Sequence, residues 1–317
     1  MNKKILFLLK LFLTFIILGF IFYKIDIKEF LSIYRKTNLF HIILSIIFYY
    51  LAFVFLSIRW KLLLLEHSKN FTVSEIFKIY LLGMLVNTVS PATLGVDVLR
   101  GYMIGEKIKS GKSFAFASVL VDRFIGLFGI FSFAPFGILF LKGIPNSKKL
   151  IFISFLFSFL IILLFYISWT DIFENIYKKI LSRFPFTSLR DKFFKLYDSF
   201  KIYSKHKKLL ILSYFLTIFL QTFFSIQAYF CARAISINLS PLVFIFIIPL
   251  INSLNSIPLT ISGLGIREAG FYALFSSYFS LETSVSLSLL YFISGVVANI
   301  PFGVYLFKSP FKSEKDI

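Results

Sequence analysis

The chain has 317 residues, of which 58% are hydrophobic and only 15% are charged, and its mean hydropathy is +0.86. Soluble domains are about 45–50% apolar and about 25% charged, so this composition excludes an ordinary soluble enzyme and predicts an all-α polytopic membrane protein. The formal net charge of +19 is assigned to cytoplasmic loops rather than to nucleic-acid binding, because positive residues in loops set membrane topology.

The N-terminal segment 5–23 is an apolar run that follows Lys3 and Lys4, an arrangement that resembles a signal peptide. The run is long enough to span a bilayer, and no small-x-small cleavage site follows it. It is therefore predicted to be a retained first helix. Further spans are predicted over the other long apolar segments, at 41–58, 113–141, 150–168, 209–232 and 286–307.

Two other apolar stretches, 76–96 and 241–281, are interrupted by Pro, Gly, Asn, Ser and Thr. Irregular backbone at membrane depth is tolerated only inside protein or beside a wet cavity. These stretches are therefore predicted to form re-entrant or broken helical hairpins. An alternative, in which 241–258 and 263–281 each cross the membrane fully, stays open.

The distribution of Lys and Arg predicts the orientation of the chain. These residues concentrate in the loops 59–75, 97–112 and 170–208 and at the two ends, which the positive-inside rule places in the cytoplasm. The resulting multi-pass protein of the cell (plasma) membrane has about six full spans plus two re-entrant hairpins of opposite sense, with both termini cytoplasmic. Arg59 and Trp60, which close the second span, are interpreted as an interfacial anchor.

The longest polar segment is the basic cytoplasmic loop 170–208, which carries 10 Lys and Arg residues. Apolar residues recur within it at spacings of three or four, as expected for an amphipathic helix on the inner leaflet: Leu189, Phe193, Leu196, Phe200 and Tyr203. Apart from this loop, the chain is expected to form a single integral membrane domain over 1–317.

A short internal repeat links the two irregular stretches. Residues 91–100 (PATLGVDVLR) and 258–267 (PLTISGLGIR) share Pro, Thr and Arg without a gap, at an offset of 167 residues. Asn87 and Asn255 precede the two copies. Paired broken helices in corresponding halves of a transporter point to its binding site, and the two hairpins are interpreted as an inverted repeat.

The two breaks predict an anion site. Proline ends a helix, glycine permits unusual dihedral angles, and a half-helix that starts there points its backbone N–H groups at the cavity. Gly263 and Gly265 lie in the second break, while Arg100 and Arg267 follow the two breaks and can complete the site. The alternative is that the breaks only help helices to pack.

The acidic residues near these arginines have structural and functional interpretations. Asp122 and Arg123 are adjacent and do not share a helix face, so each is predicted to pair elsewhere, either in a structural ion pair or at the substrate site. Glu268 is either a capping acid in the first turn of a half-helix or a group that orients Arg267 or carries a proton. In the functional interpretation, Asp97, Asp122 and Glu268 balance the arginine charges or couple to protons.

Several chemistries are not expected. Cys231 is the only cysteine and the three histidines are scattered, so neither an internal disulfide nor a metal site is predicted. The sequence has no phosphate-binding loop, no G-x-S-x-G and no H-E-x-x-H motif. We therefore predict no ATP-driven step, no cofactor and no catalytic residues, and the chain is not expected to be an enzyme.

Three segments carry a resemblance to a known family: 87–100 (NTVSPATLGVDVLR), 121–126 (VDRFIG) and 258–268 (PLTISGLGIRE). They resemble the lysylphosphatidylglycerol synthase transmembrane region, also called the flippase-like or UPF0104 family, and the segment 59–63 (RWKLL) fits it too. The resemblance implies a membrane region that, in bifunctional resistance proteins, moves aminoacylated phosphatidylglycerol between leaflets. Synthase activity is not expected, since no cytosolic synthase domain is seen in this sequence, and the first segment is poorer in glycine than the family pattern.

The leading hypothesis is a lipid flippase or transporter that moves an anionic phospholipid or a polyprenyl-phosphate-linked lipid between leaflets. Its lipid head group is predicted to bind residues from both halves of the chain: Arg267, Glu268, Arg100, Asp97, Asp122, Arg123, Asn87, Asn255, Gly263 and Gly265. An enzyme that acts on a polyprenyl phosphate through Asp122 is disfavoured, because no acid–base pair is visible.

The alternative hypothesis is a non-catalytic membrane partner or regulator of a lipid-modifying or glycosyl-transferring enzyme, docked through 170–208. The expected partners are membrane lipids with an anionic head group and, in this alternative, the lipid-modifying enzyme. No nucleic-acid partner is expected, and the sequence leaves oligomerisation open.

Overall fold

The computed structural model describes residues 3–35, 37–89, 95–140, 147–182, 187–255, 260 and 263–308. Within them, the chain forms α1 (Lys3–Lys24), α2 (Ile27–Tyr34), α3 (Leu39–Leu63), α4 (Val73–Val89), α5 (Gly95–Gly105), α6 (Gly111–Phe140), α7 (Ser147–Ile167), α8 (Asp171–Ser182), α9 (Thr187–Lys201), α10 (Lys207–Ala234), α11 (Pro241–Asn255), α12 (Ile266–Phe275) and α13 (Leu281–Lys308). Two short 3₁₀ segments, Leu65–Asn70 and Ile202–Lys205, precede α4 and α10. This architecture confirms the all-α membrane fold.

Four helices in the described ranges are long and apolar enough to cross a membrane: α3, α10, the Gly111–Ser132 part of α6 and the Leu281–Gly303 part of α13. Three shorter apolar helical segments accompany them: Thr14–Lys24, Ile151–Ile167 and Pro241–Leu254. The total of six full spans stays a prediction, because it also requires α1 and α7 to cross.

The helices repeat as two sets of four. Helices α3, α4, α5 and α6 contain 25, 17, 11 and 30 residues, and helices α10, α11, α12 and α13 contain 28, 15, 10 and 28 residues. The first residues of corresponding helices lie 168–171 positions apart. The offset agrees with the short sequence repeat and extends it over most of the chain.

The packing between helices also shows the relation between the two sets of four. Helix α4 packs on α13 while α11 packs on α6, and α3 packs on α10 between the two sets. Corresponding helices run in opposite directions, because the N–H of Asn38 before α3 donates to the carbonyl of Ala234 at the end of α10, at 2.8 Å. At the other end of this pair, the Tyr203 hydroxyl, just before α10, donates to the carbonyl of Leu63. The repeat is therefore inverted.

Each half contributes a hairpin that begins and ends at one end of the bundle. His67 before α4 lies 2.8 Å from the Ser110 hydroxyl after α5, and this end also holds Leu63. In the other half, Phe244 at the start of α11 packs on Phe275 at the end of α12, with ring centroids 5.4 Å apart. Ten residues of α12 extend only about 15 Å, about half of a bilayer core. The two hairpins thus open at opposite ends of the bundle, and their re-entrant course in the membrane stays a prediction.

Helices α8 and α9 fill the predicted basic loop, and α9 packs on α6. Glu174 of α8 joins the two helices because it accepts hydrogen bonds from Lys178 and from Lys201 of α9. These bonds lower the pKa of Glu174 to about 2, so the carboxylate stays ionised at physiological pH. The location of the two helices on the inner leaflet stays a prediction.

Candidate functional site

Charged side chains from α3, α5 and α6 converge inside the first half of the molecule. Arg59, Arg100 and Asp122 are 4%, 2% and 2% exposed. Asp122 lies 11 residues after the start of α6, or about 17 Å along the helix. We call the following set the arginine cluster: Arg59, Asp97, Arg100, Asp122 and Arg123.

Asp122 is the acceptor at the centre of the cluster. Its Oδ1 accepts from Arg59 Nε at 2.8 Å, and its Oδ2 accepts from Arg100 Nη1 at 2.7 Å and from the Tyr80 hydroxyl at 3.1 Å. Arg59 also donates through Nη1 to the Thr217 hydroxyl of α10 at 2.8 Å. The second half of the repeat thereby contributes a group to this site.

Asp97 is the second acceptor. It pairs with Arg100 Nη2 at 2.8 Å, one turn along α5, and with Arg123 of α6. Adjacent Asp122 and Arg123 thus pair with different residues, as their helical positions predict.

The cluster carries an excess of positive charge. Three arginines and two aspartates leave a formal charge of +1. Arg100 lies 4.9 Å from the ring centroids of both Trp60 and Tyr80, so aromatic faces stabilise its guanidinium. Its Nε is buried, and no acceptor for it lies in the described part of the chain. Chemically, this arrangement can bind an anion.

The interpretation of Arg59 and Trp60 as an interfacial anchor is wrong. Trp60 is fully buried and donates from Nε1 to the Ser118 hydroxyl of α6 at 3.0 Å. Gly126 of α6 lies beside the Arg59 guanidinium, since a Cβ there would be in van der Waals contact with Arg59 Nη1 at 3.6 Å. Both residues are covered by protein because α4, α6 and α10 pack on α3.

A second pair of charges lies at the start of α12. Arg267 donates from Nη2 to Glu268 Oε1 at 2.6 Å and from Nε to the Ser288 hydroxyl of α13 at 3.1 Å. Glu268 is fully buried, and its Oε2 accepts from the N–H of Gly265 at 2.6 Å. The capping interpretation of Glu268 therefore agrees with the geometry, and so does its role in orienting Arg267, whose guanidinium also lies over Phe292.

Gly265 has a φ of 87°, a conformation that other residues rarely adopt. Gly265→Ala is expected to lower the free energy of unfolding by about 1–3 kcal/mol, because the backbone is strained and the new Cβ meets Ile17 Cγ2 at 2.8 Å. Thermal unfolding of the purified protein in detergent measures the change. Gly19→Ala in α1 is the matched control, since no described atom lies within 4 Å of its Cβ; equal melting of the two variants contradicts the prediction.

The structure divides the predicted site residues into two groups of contacts. The first contains Asp97, Arg100, Asp122 and Arg123, and the second contains Gly265, Arg267 and Glu268, with Gly263 also at positive φ two residues before Gly265. Asn87 lies near the end of α4. Asn255 ends α11, but its side chain and residues 90–94, 256–259 and 261–262 lie outside what the structure describes.

Three hydroxyl groups of these sites escaped the sequence analysis: those of Tyr80, Thr217 and Ser288. Each lies in a helix that contains other hydroxyl residues, so the sequence offers no signal that selects it. In the described residues, no three His, Cys, Asp or Glu side chains gather as metal ligands.

Comparison with known proteins agrees with the resemblance of the three segments. The family described as "Lysylphosphatidylglycerol synthase TM region" matches residues 7–303. A UPF0104 membrane protein of Methanocaldococcus jannaschii is 25% identical over 296 residues, which cover 88% of this chain and 87% of that protein. A UPF0104 membrane protein of Methanothermobacter thermautotrophicus is 22% identical over 270 residues, which cover 80% and 79%.

Proposed function

The chain belongs to the family of the lysylphosphatidylglycerol synthase TM region, and from this premise we propose that it moves an anionic lipid between the two leaflets of its membrane. The lipid is an anionic phospholipid or a polyprenyl-phosphate-linked lipid. The observation that carries the proposal is the arginine cluster, with its formal charge of +1 and the buried Nε of Arg100, for which the described residues offer no acceptor.

Electrostatics favours an anion as the ligand. A buried charge is costly unless it is paired, and an unsatisfied buried donor adds to that cost. One phosphate oxygen can accept from Arg100 Nε and neutralise the excess charge at the same time. A neutral ligand can satisfy the donor but leaves the charge uncompensated, so an anionic head group fits the cluster best.

The inverted repeat supports transport rather than static binding. Transporters built from inverted repeats alternate between two states in which one half moves against the other around a central site. Here the two hairpins enter from opposite ends, and Arg59 and Thr217 connect α3 with α10, which belong to different halves. In the proposal, the two hairpins open alternately to the two leaflets while the lipid tail stays in the bilayer.

The pair at the start of α12 has a different role from the arginine cluster. Arg267 and Glu268 sum to zero charge, and Ser288 bonds with both of them. In the proposal Arg267 is a second contact for the phosphate, and Glu268 is the positioning residue that holds Arg267. No chemical reaction is assigned to the chain.

The basic end of the bundle, which holds Leu63, His67, Ser110 and Tyr203, is proposed to face the cytoplasm. Cytoplasmic loops carry the excess of Lys and Arg in membrane proteins. In the proposal both termini are cytoplasmic, the protein lies in the plasma membrane, and the first hairpin opens from the cytoplasmic leaflet.

The proposal is tested with the full chain reconstituted in phosphatidylcholine vesicles that contain trace amounts of a fluorescently labelled lipid. Labelled phosphatidylglycerol and a labelled polyprenyl phosphate are compared with labelled phosphatidylcholine. Dithionite, which does not cross the bilayer, bleaches the label in the outer leaflet. We expect the protein to make the inner-leaflet pool of at least one anionic lipid accessible to dithionite, and to leave phosphatidylcholine protected.

If both anionic lipids stay as protected as in protein-free vesicles, the transport proposal is contradicted. In that case the alternative role, as a membrane partner of a lipid-modifying or glycosyl-transferring enzyme, becomes the better explanation. Deletion of α8 and α9 then tests this alternative role. If these helices are the docking surface for the enzyme, the deletion should abolish activity in cells.

A further inference from the structure

An apolar groove of about 340 Å³ lies between α6, α7 and α10, outside the two charged sites. Phe128, Ile162 and Ile211 contribute one wall each. On α10 the groove ends at Tyr214, one helical turn before Thr217 of the charged site. The groove thus runs along the outside of the first half, close to the arginine cluster.

The groove is continuous with the surface that faces lipid. Tyr166, Ile162 and Ile211 line it and are 68%, 51% and 58% exposed. A membrane protein exposes such side chains to acyl chains rather than to water. In a bilayer the groove therefore faces acyl chains.

Trp169, which follows the end of α7, lines one end of this apolar groove. Its ring packs on Phe165, with centroids 4.4 Å apart, and its Nε1 is buried without a hydrogen-bond partner in the described residues. Tryptophan is enriched where a membrane meets water, so the Trp169 end of the groove is the end expected near the lipid head groups.

Positive charge lies near the same end of the groove. Lys207 is exposed at the start of α10, three residues before Leu210 and four before Ile211, which both line the groove. Residues at these spacings share a helix face. The charge favours an anionic head group over a zwitterionic one.

We propose that this groove binds one acyl chain of an anionic phospholipid, which packs against Trp169 and places its phosphate beside Lys207. The site is separate from the arginine cluster, and its occupation does not require the chain to transport lipid. It is a lateral binding site on the side of the bundle.

The chain contains two tryptophans, which makes a direct test practical. Trp60→Phe leaves Trp169 as the single fluorophore, and Trp169→Phe leaves the fully buried Trp60 as the control. Each full-length variant in detergent is titrated with phosphatidylglycerol or phosphatidylcholine that carries brominated acyl chains, which quench tryptophan on contact. We expect saturable quenching of Trp169 and little quenching of Trp60.

The half-saturating concentration should be about fivefold lower for phosphatidylglycerol than for phosphatidylcholine, because the charge of one lysine near a membrane surface contributes about this much to binding. Lys207→Gln should remove this preference and keep the quenching. Ile162→Phe, which fills the groove, should abolish the saturable component, whereas Leu164→Phe, an equal change at a 58% exposed position on the same helix, should not.

The proposal is overturned if quenching of Trp169 rises linearly with lipid concentration. It is also overturned if quenching is equal in the Ile162→Phe and Leu164→Phe variants. Native mass spectrometry provides a measurement that needs neither tryptophan variant. The otherwise unaltered chain should retain phosphatidylglycerol under conditions in which Ile162→Phe loses it, and equal retention also overturns the proposal.

Discussion

Asp122→Asn is expected to lower the free energy of unfolding by about 3–5 kcal/mol, the loss typical of a buried ion pair that is deprived of one partner. The asparagine removes the only carboxylate that the structure pairs with Arg59, which then keeps Thr217 as its neutral acceptor. Arg100 loses one of its two carboxylates, and the formal charge of the cluster rises from +1 to +2. Thermal unfolding of the purified protein in detergent, followed by size-exclusion chromatography, measures the loss.

Asp191→Asn is the matched control, because it makes the same chemical change in α9. Asp191 is 62% exposed and lies 3.8 Å from Arg190, so the change should stay within about 0.5 kcal/mol. If the two variants melt at the same temperature, the arginine cluster does not stabilise the fold in the way that its geometry indicates.

The sequence predicts the architecture well because hydropathy and helix breakers act locally. A bilayer requires long apolar runs, so α3, α6, α10 and α13 are visible as such in the sequence. The two hairpins are recognisable because Pro and Gly interrupt otherwise apolar stretches. Their inverted relation follows from the opposite loop charges, and the packing of α4 on α13 and of α11 on α6 extends it to the whole bundle.

The contacts of the site were predictable only where the partners are close in sequence. Arg267 and Glu268 are adjacent, and the capping position of Glu268 follows from its place in the first turn of α12. The partners of Arg59 lie 63 and 158 positions away, at Asp122 and Thr217. No local pattern encodes such a distance, and for that reason the sequence predicts an interfacial anchor at Arg59 instead of a buried ion pair.

The two halves share a backbone plan but differ in their charge balance. In the first half, three arginines share two aspartates, and Arg100 lies between them because it pairs with both Asp97 and Asp122. In the second half, the carboxylate of Glu268 neutralises Arg267. A bound anion therefore gains more from the first half, and the repeat is asymmetric where its function depends on charge.

Arg100→Gln is accordingly expected to weaken binding of an anionic lipid by about 10–100-fold, since a hydrogen bond to a charged group contributes about 1.5–3 kcal/mol. Stability should fall less than in Asp122→Asn, because two complete ion pairs remain, Arg59 with Asp122 and Arg123 with Asp97. The lipid is phosphatidylglycerol or the polyprenyl phosphate, whichever the unaltered chain moves in the dithionite assay. In that assay, the variant should leave the inner-leaflet label protected.

Arg190→Gln is the control for this substitution, since it removes one positive charge from the chain at a partly exposed position of α9. It should transport the lipid as the unaltered chain does, which excludes an effect of net charge on vesicle binding. Translocation by Arg100→Gln at the normal rate would falsify the assignment of the head-group site to the arginine cluster. If instead Arg100→Gln is inactive but unfolds like Asp122→Asn, the excess charge is not what distinguishes Arg100, and its role is structural.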